Sequence, residues 1–422
     1  MKTLIIGAGL AGLTAARILQ KADVEVRVLE ANAQVGGRVR SATHNGFTLD
    51  RGFQVLFTGY PAVRRNLNLS KLNLKFIPPG ALIRRGHAKD ILGDPFRDPT
   101  SLMTTLTSDA LTLKDKTLVA RLSAKLKLKA KADLLLGAET DTRNFLKFYG
   151  FSDEAIENFF APFFGGIFLD RTLATSSHLF KYYYRMLIEG GIAVPAEGMG
   201  AIAEQLADGL ELSLNTKVVS VEQSDNGVSV KTDGDTFEAD TVIIATDPPE
   251  LARLTGVEPI TDAKSSSYLY YASYKQLDSE KRILLNAKSG TLNNAHWLSN
   301  VNPAYAPVAK HLLSTTVIGR TEDSDEALDE GVRADLRDWY GDEVDRLELL
   351  KVIRIPFAQF AQPPGFAKNL VSNKTEQPNI FVASESTSMS SIQGAMESGE
   401  KAAALALARV QGETEVPRYR GT

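Results

Sequence analysis

Gly7-Ala8-Gly9-Leu10-Ala11-Gly12 stands between an apolar, strand-like run from Lys2 to Ile6 and a run of helical periodicity from Leu10 to Lys21. In that setting the three glycines have separate physical duties. Gly7 makes a tight turn, Gly9 removes the side chain that would hold a diphosphate away from the backbone, and Gly12 lets helix and strand approach closely. The helix start, with the N–H groups of Leu10 and Ala11, directs unpaired donors and the positive end of the helix dipole at a bound anion. Glu30 follows, with Ala31 beside it, at the end of a strand in which Val24, Val26 and Val28 alternate. A carboxylate there can accept hydrogen bonds from ribose hydroxyls. Strand, helix and acid together predict a dinucleotide site at the start of the chain.

Gly36-Gly37-Arg38 adds two glycines and a guanidinium, so that a second loop can close over a pyrophosphate with charged donors. With that Gly-Gly-Arg, the run from Leu4 to Val39 resembles the superfamily of flavin-containing amine oxidases, phytoene desaturases and protoporphyrinogen oxidases, and most of all its bacterial desaturase-like branch. The resemblance implies an FAD held non-covalently. It implies that Asp50-Arg51-Gly52-Phe53-Gln54 passes the flavin ring, with Gly52, Phe53 and Gln54 in contact. Gly190-Gly191, Pro195 and Gly198-Met199-Gly200 resemble the return into the cofactor domain, Val218 takes the place whose backbone meets adenine, and Ala245 closes a strand beside the cofactor. Glu385 and Gly394-Ala395-Met396 resemble the second flavin contact, where a helix beginning near Gly394 would aim free N–H groups at the flavin pyrimidine carbonyl.

Two positions depart from that pattern. Ser384 precedes Glu385 where the family has glycine, and Ser391 stands where an amine oxidase carries an aromatic residue. No aromatic residue occurs between Phe381 and Gly394, which argues against an aromatic cage around an amine and for a substrate recognised by apolar contact.

The elements that must position these residues follow from periodicity. A βαβ unit opens the chain. Strand-like runs return from Leu212 to Ala245, with Asp225-Asn226-Gly227 as a hairpin turn, and a strand at Asn379–Ala383 precedes a small-residue helix from Gln393 to Val410. The expected fold class is α/β, a two-domain flavoprotein. A Rossmann-like FAD-binding domain, a parallel sheet plus a β-meander, takes residues 1–75, 195–260 and 371–412. A discontinuous α+β substrate domain takes 76–194, mostly helical, and 261–370, strand-rich, and a tail covers 413–422.

Composition bounds the rest. A net charge of −3 gives no field to collect nucleic acid. With no cysteine, there is no disulfide, no thiolate metal site and no cysteinyl flavin. His44, His87, His178, His296 and His311 have no joint ligand spacing, so no metal is expected. The apolar start reads as the first strand rather than a signal peptide, no stretch is long enough to span a membrane, and a cytoplasmic location is expected.

Phe145, Phe148, Tyr149, Phe151, Phe159, Phe160, Phe163, Phe164 and Phe168, then Tyr182-Tyr183-Tyr184, could be core or could line a channel for a long apolar substrate. Lys114 to Lys131 carries seven basic residues against Asp115, with Leu118, Leu122 and Leu126 on one helical face. It reads either as a solvated basic helix or as a peripheral contact with an anionic membrane. The expected function is an FAD-dependent dehydrogenase or oxidase that takes hydride from a polyene, isoprenoid or porphyrinogen onto flavin N5, with no dedicated protein base identified. A flavin amine oxidase, a flavin-dependent isomerase and a non-enzymatic lipid-binding escort of the same fold are the alternatives. His296 is the one histidine open to a catalytic part, against a core role.

Overall fold

The computed structural model describes residues 2–52, 55–94, 97–224, 227–258 and 262–411. The expected flavin contacts Phe53 and Gln54, the turn residues Asp225 and Asn226, and the tail 413–422 lie outside the described residues.

A five-stranded sheet runs in the spatial order Glu211–Ser213, Glu25–Leu29, Lys2–Ile6, Thr241–Ile244, Ile380–Val382. All four pairings are parallel. Val242, Ile243 and Ile244 are completely buried because both sheet faces are covered, which is why this strand shows no alternation. One face carries the helix Leu10–Lys21 and, against it, the C-terminal helix Ile392–Gln411. A Cβ on Gly399 would stand 2.3 Å from the Ala11 carbonyl oxygen, so the small residues of the last helix answer to close helix contact. The other face is covered by an antiparallel meander, Val218–Ser224, Gly227–Thr232 and Thr236–Ala239, whose Val228 and Val230 pack with Leu4, Val242 and Val382.

A seven-stranded mixed sheet forms the second layer system: Glu348–Phe360, Ala263–Ser273, His311–Ile318, Asn294–Trp297, Ile283–Asn286, Gly80–Arg85, Ala88–Gly93. Its first two chain segments are the strands with which the mostly helical 76–194 opens. Ala81, Leu82 and Ile83 become a buried strand by pairing in parallel with Ile283–Asn286, a distant partner that local periodicity does not reveal. From residue 102 to 189 the segment is mainly helical, with Leu113–Leu128, Thr142–Tyr149, Ala161–Phe168 and Ser177–Glu189, and it ends in the strand Ile192–Val194. The helix Asp325–Tyr340 lays Leu328, Val332 and Leu336 on one face of the large sheet.

Most of the aromatic cluster is core. Phe160, Phe164 and Phe180 are buried and touch one another, the last two with ring centroids 4.6 Å apart, while Phe148 is exposed. Leu122 and Leu126 turn inward toward the helix Ser177–Glu189, so the apolar stripe of the basic helix is consumed by the core.

Candidate flavin and substrate site

The turn after the first strand is built to leave room. Gly7 has φ +104°, and a Cβ there would lie 2.6 Å from the Ala245 carbonyl oxygen. Gly12 is closed in more tightly, with a Cβ 2.1 Å from the Gly7 carbonyl oxygen. Gly9 is different: it has an ordinary φ of −75° and its Cβ would meet nothing within 4 Å. Packing therefore does not require glycine at 9, and what that position keeps open is the space in front of the helix. No side chain caps this helix, so the N–H groups of its first turn stay available.

Gly36 and Gly37, both at positive φ, fold the following loop back over this turn. The Gly36 N–H donates to the Ala8 carbonyl at 2.7 Å, and Gly37 lies against Gly9. Glu30 is buried, with Oε2 accepting from the Ala8 N–H at 2.7 Å and Oε1 from the Asn32 N–H at 2.9 Å. Arg38 Nη1 donates to Glu385 Oε1 and to the Ala358 carbonyl, each at 2.7 Å. Glu385 Oε2 also accepts from Ser390 Oγ at 2.9 Å. The segment after the last strand is thereby tied to the glycine loops.

These residues wall one cavity of about 1040 Å3. Gly7, Gly9, Leu10, Ala11, Glu30, Ala31, Gly36, Gly37, Arg38, Val218, Ala245, Glu385 and Ala395 line it; Gly12, Gly52, Gly394 and Met396 do not. Gly12 and Gly52 serve packing, the latter with φ +88° and a Cβ that would lie 2.8 Å from the Tyr268 ring. The expected role of Gly394 needs correction. The last helix begins at Ile392, and the Gly394 N–H is already taken by Ser391 Oγ at 3.0 Å and that of Ala395 by the Ser391 carbonyl at 2.9 Å. Gly394 is glycine because a Cβ would stand 1.8 Å from the Met389 carbonyl oxygen, and Met396 is wholly buried in the core. The Val218 carbonyl accepts from Arg253 Nη2 at 2.9 Å.

The remainder of the cavity is a lobe that local pattern did not disclose. It is walled by Val55, Phe57 and Tyr60, by residues of the Ala161–Phe168 and Ser177–Glu189 helices, by Tyr268, Ile283, Leu285 and Asn294 of the large sheet, and by Ile355 to Gln359. Among the described residues, the charged side chains that line the cavity all lie within 30–51 and 217–253 or at Glu385; the two helices and the large sheet contribute none. The sequence did lack an aromatic residue before Gly394, yet the fold brings one from elsewhere. Tyr183 lines the lobe with its hydroxyl 3.3 Å from the Ser390 carbonyl, and Tyr60 meets it edge-on at 6.3 Å. Burial keeps both phenols protonated, far above the usual tyrosine range.

Behind Arg51, which lines the cavity, Asp50 is buried and fully engaged. It accepts from Ser41 Oγ at 2.5 Å, the Met199 N–H at 2.8 Å and Tyr305 Oη at 3.1 Å, and its backbone carbonyl accepts from Tyr270 Oη at 2.8 Å. Desolvation raises its carboxyl to about 6, against the pull of those hydrogen bonds. His296 is completely buried with Nε2 3.1 Å from the Lys281 carbonyl, does not line the cavity, and is held at about 4 by desolvation. It is a core residue.

A parallel sheet with an open glycine turn and a second glycine loop over it, joined to a large mixed sheet across one cavity, defines a two-domain dinucleotide-binding flavoprotein. The chain belongs to the flavin containing amine oxidoreductase family, whose model matches residues 10–407. It is 29% identical over 162 residues to protoporphyrinogen oxidase 2, chloroplastic/mitochondrial, of Arabidopsis thaliana, covering 38% of this chain and 31% of that one. It is 26% identical over 252 residues to polyamine oxidase 4 of Oryza sativa subsp. japonica, covering 57% and 50%. The chain thus spans half or less of the length of these curated relatives. An oxidoreductase from Methanosarcina mazei shares the fold, with a TM-score of 0.75 at 19% identity over 95% of this chain and 99% of that one. The family's cofactor fits the cavity on the protein's own terms, because the space in front of Gly9 and the uncapped helix start are what a pyrophosphate needs.

Proposed function

We propose that this protein is an FAD-dependent oxidoreductase that removes hydride from an apolar substrate of polyene, isoprenoid or porphyrinogen type. The uncharged lobe carries this reading. A cation or carboxylate drawn from water into such a wall would lose its hydration with no counter-charge to replace it. Bound flavin supplies the hydride acceptor. The protein's own contribution is to hold, orient and dry. Gly7, Gly9, Leu10, Ala11, Gly36, Gly37 and Arg38 would hold the pyrophosphate, Glu30 and Ala31 the ribose, and Val218 and Ala245 the adenine side, without a covalent link. The phenols of Tyr60 and Tyr183, protonated at any working pH, offer neutral surface to the substrate. The corresponding division is a cofactor domain of 1–75, 195–260 and 371–412 with a substrate domain of 76–194 and 261–370.

A lipophilic substrate needs a route from its reservoir. Leu102, Met103 and Leu106 are exposed on the helix Leu102–Thr107, and Leu113 and Leu128 on the next, Leu113–Leu128, with the exposed Lys114, Lys125 and Lys127 and, just past its end, Lys129. This surface, rather than the buried Leu122–Leu126 stripe, is the one proposed to touch an anionic membrane.

The test is anaerobic bleaching of the purified holoprotein by a panel of candidate substrates. Bleaching by polyenes or porphyrinogens and not by polyamines is expected; rapid bleaching by spermidine alone would overturn the apolar reading and install an amine oxidase in its place.

A further inference from the structure

One wall of the uncharged lobe carries unspent hydrogen-bonding capacity. Asn294 lines the cavity and is 4% exposed. Its Oδ1 accepts from Asn293 Nδ2 at 2.8 Å, and its Nδ2 donates to Thr316 Oγ1 at 3.2 Å. The Asn293 nitrogen, which also donates to a backbone carbonyl, fixes the facing Asn294 atom as the oxygen. An amide nitrogen has two protons, and among the described residues only one of these has a partner.

The neighbouring amide is fixed in the same way. Asn293 Nδ2 also donates to the Pro162 carbonyl at 3.0 Å, which leaves Asn293 Oδ1 as a buried acceptor with no partner. An unsatisfied buried polar atom costs about 1–3 kcal/mol, so a carboxamide in an apolar wall with a second one buried beside it calls for a reason. The Ala161–Phe168 helix packs directly on the pair, with only a glycine at the point of contact. Gly166 lines the cavity too, and a Cβ there would lie 3.0 Å from Asn293 Nδ2 and 3.1 Å from Asn294 Oδ1. On the sheet, Asn294 pairs with Thr316 and Thr316 with Tyr268, so the three side chains share the face that looks into the lobe.

We propose that Asn294, held in orientation by Asn293 and Thr316, binds a neutral oxygen function, a hydroxyl or carbonyl, on an otherwise apolar substrate. The inference rests on the apolar-substrate reading above. The oxygen accepts from the free Asn294 N–H. A carboxylate is a poor occupant because no cation lines the lobe to replace its hydration.

The test uses the FAD-loaded protein and two probes, geranylgeraniol and the hydrocarbon of the same skeleton without the hydroxyl, each titrated against the flavin absorbance. The wild type is expected to bind the alcohol roughly tenfold more tightly than the hydrocarbon, the worth of one neutral hydrogen bond. Asn294→Leu should bring the two affinities together by weakening the alcohol alone. Gly166→Ala, which crowds the amide pair from the helix packed on it, should shrink the preference in the same direction and serves if the leucine variant does not fold. Equal affinities in the wild type, or a preference untouched by either variant, overturn the assignment of Asn294 while leaving the apolar reading intact. Failure of both probes to bind overturns this inference, and the apolar reading falls with it only if polyenes and porphyrinogens also fail to bleach the flavin.

Discussion

Arg38 Nη1 and Glu385 Oε1 lie 2.7 Å apart, joining the loop that follows the second strand of the parallel sheet to the segment that precedes the last helix. Glu385 is 5% exposed while Arg38 is 31% exposed, so the carboxylate is the buried partner and depends on the guanidinium. Arg38→Ala is therefore expected to strand a buried carboxylate as well as remove the proposed pyrophosphate donor. FAD affinity should fall by at least about tenfold, as a charge-assisted hydrogen bond of this kind implies. Glu385→Gln should cost less, because it keeps a polar partner. Equilibrium dialysis of FAD against both variants checks the order, and equal losses would contradict it.

Gly9 and Gly12 separate cofactor binding from folding. A methyl group at 9 meets nothing, whereas at 12 it meets the Gly7 carbonyl oxygen at 2.1 Å. Gly9→Ala should leave the thermal midpoint of the FAD-free protein within a degree or two of wild type, a shift of well under about 1 kcal/mol, and should greatly weaken FAD. Gly12→Ala should lower that midpoint even without FAD. A Gly9→Ala protein that retains flavin like wild type would show that the space before this helix is not the pyrophosphate site.

Asp50 predicts a pH dependence whose sign runs opposite to that of a salt-bridged carboxylate. Its carboxyl is raised from an ordinary 3.8 to about 6 by burial. Between those values the folded state binds more protons than the unfolded one, so the contribution of Asp50 to stability is present below about pH 4 and lost as pH rises through about 6. The loss at neutral pH is at most about 3 kcal/mol. Asp50→Asn retains an acceptor for Ser41 and Met199 and should match wild type near pH 4 while exceeding it near pH 8 in urea unfolding. A difference that does not change between these pH values would refute the assignment.

The basic helix gives a prediction about partners. Replacing Lys125, Lys127 and Lys129 together by glutamine removes three exposed charges beside the exposed Leu128. At about 1 kcal/mol for each lysine near an anionic surface, partitioning onto phosphatidylserine vesicles at low salt should fall by roughly two orders of magnitude. Wild-type protein that stays in the supernatant in the same sedimentation assay would remove the membrane from the proposal.

The sequence by itself determined the dinucleotide end of this protein. Gly7, Gly9, Gly12 and Glu30 act through turn conformation, a helix start and the end of the next strand, all set within the βαβ unit Lys2–Leu29, so the local string contains the physics. Gly36-Gly37-Arg38 was legible for the same reason, since two positive φ values are properties of two residues. At the C-terminal end the glycine was legible and its purpose was not. Gly394 looked like a site for a flavin, but the carbonyl it must clear belongs to Met389, which only the fold of the connecting turn brings there.

Tertiary structure alone decided the lobe proposed to take substrate. Its walls come from separate stretches of chain, and no periodicity in any one of them says which side chains will face a common space. The register of the large sheet sets Asn294 beside Thr316 and Tyr268, and the Ala161–Phe168 helix happens to present Gly166 opposite them. Such juxtapositions are fixed by pairing and packing between distant segments, and Phe163 and Tyr183 line the lobe while Phe160 and Phe180 fill the core for that reason.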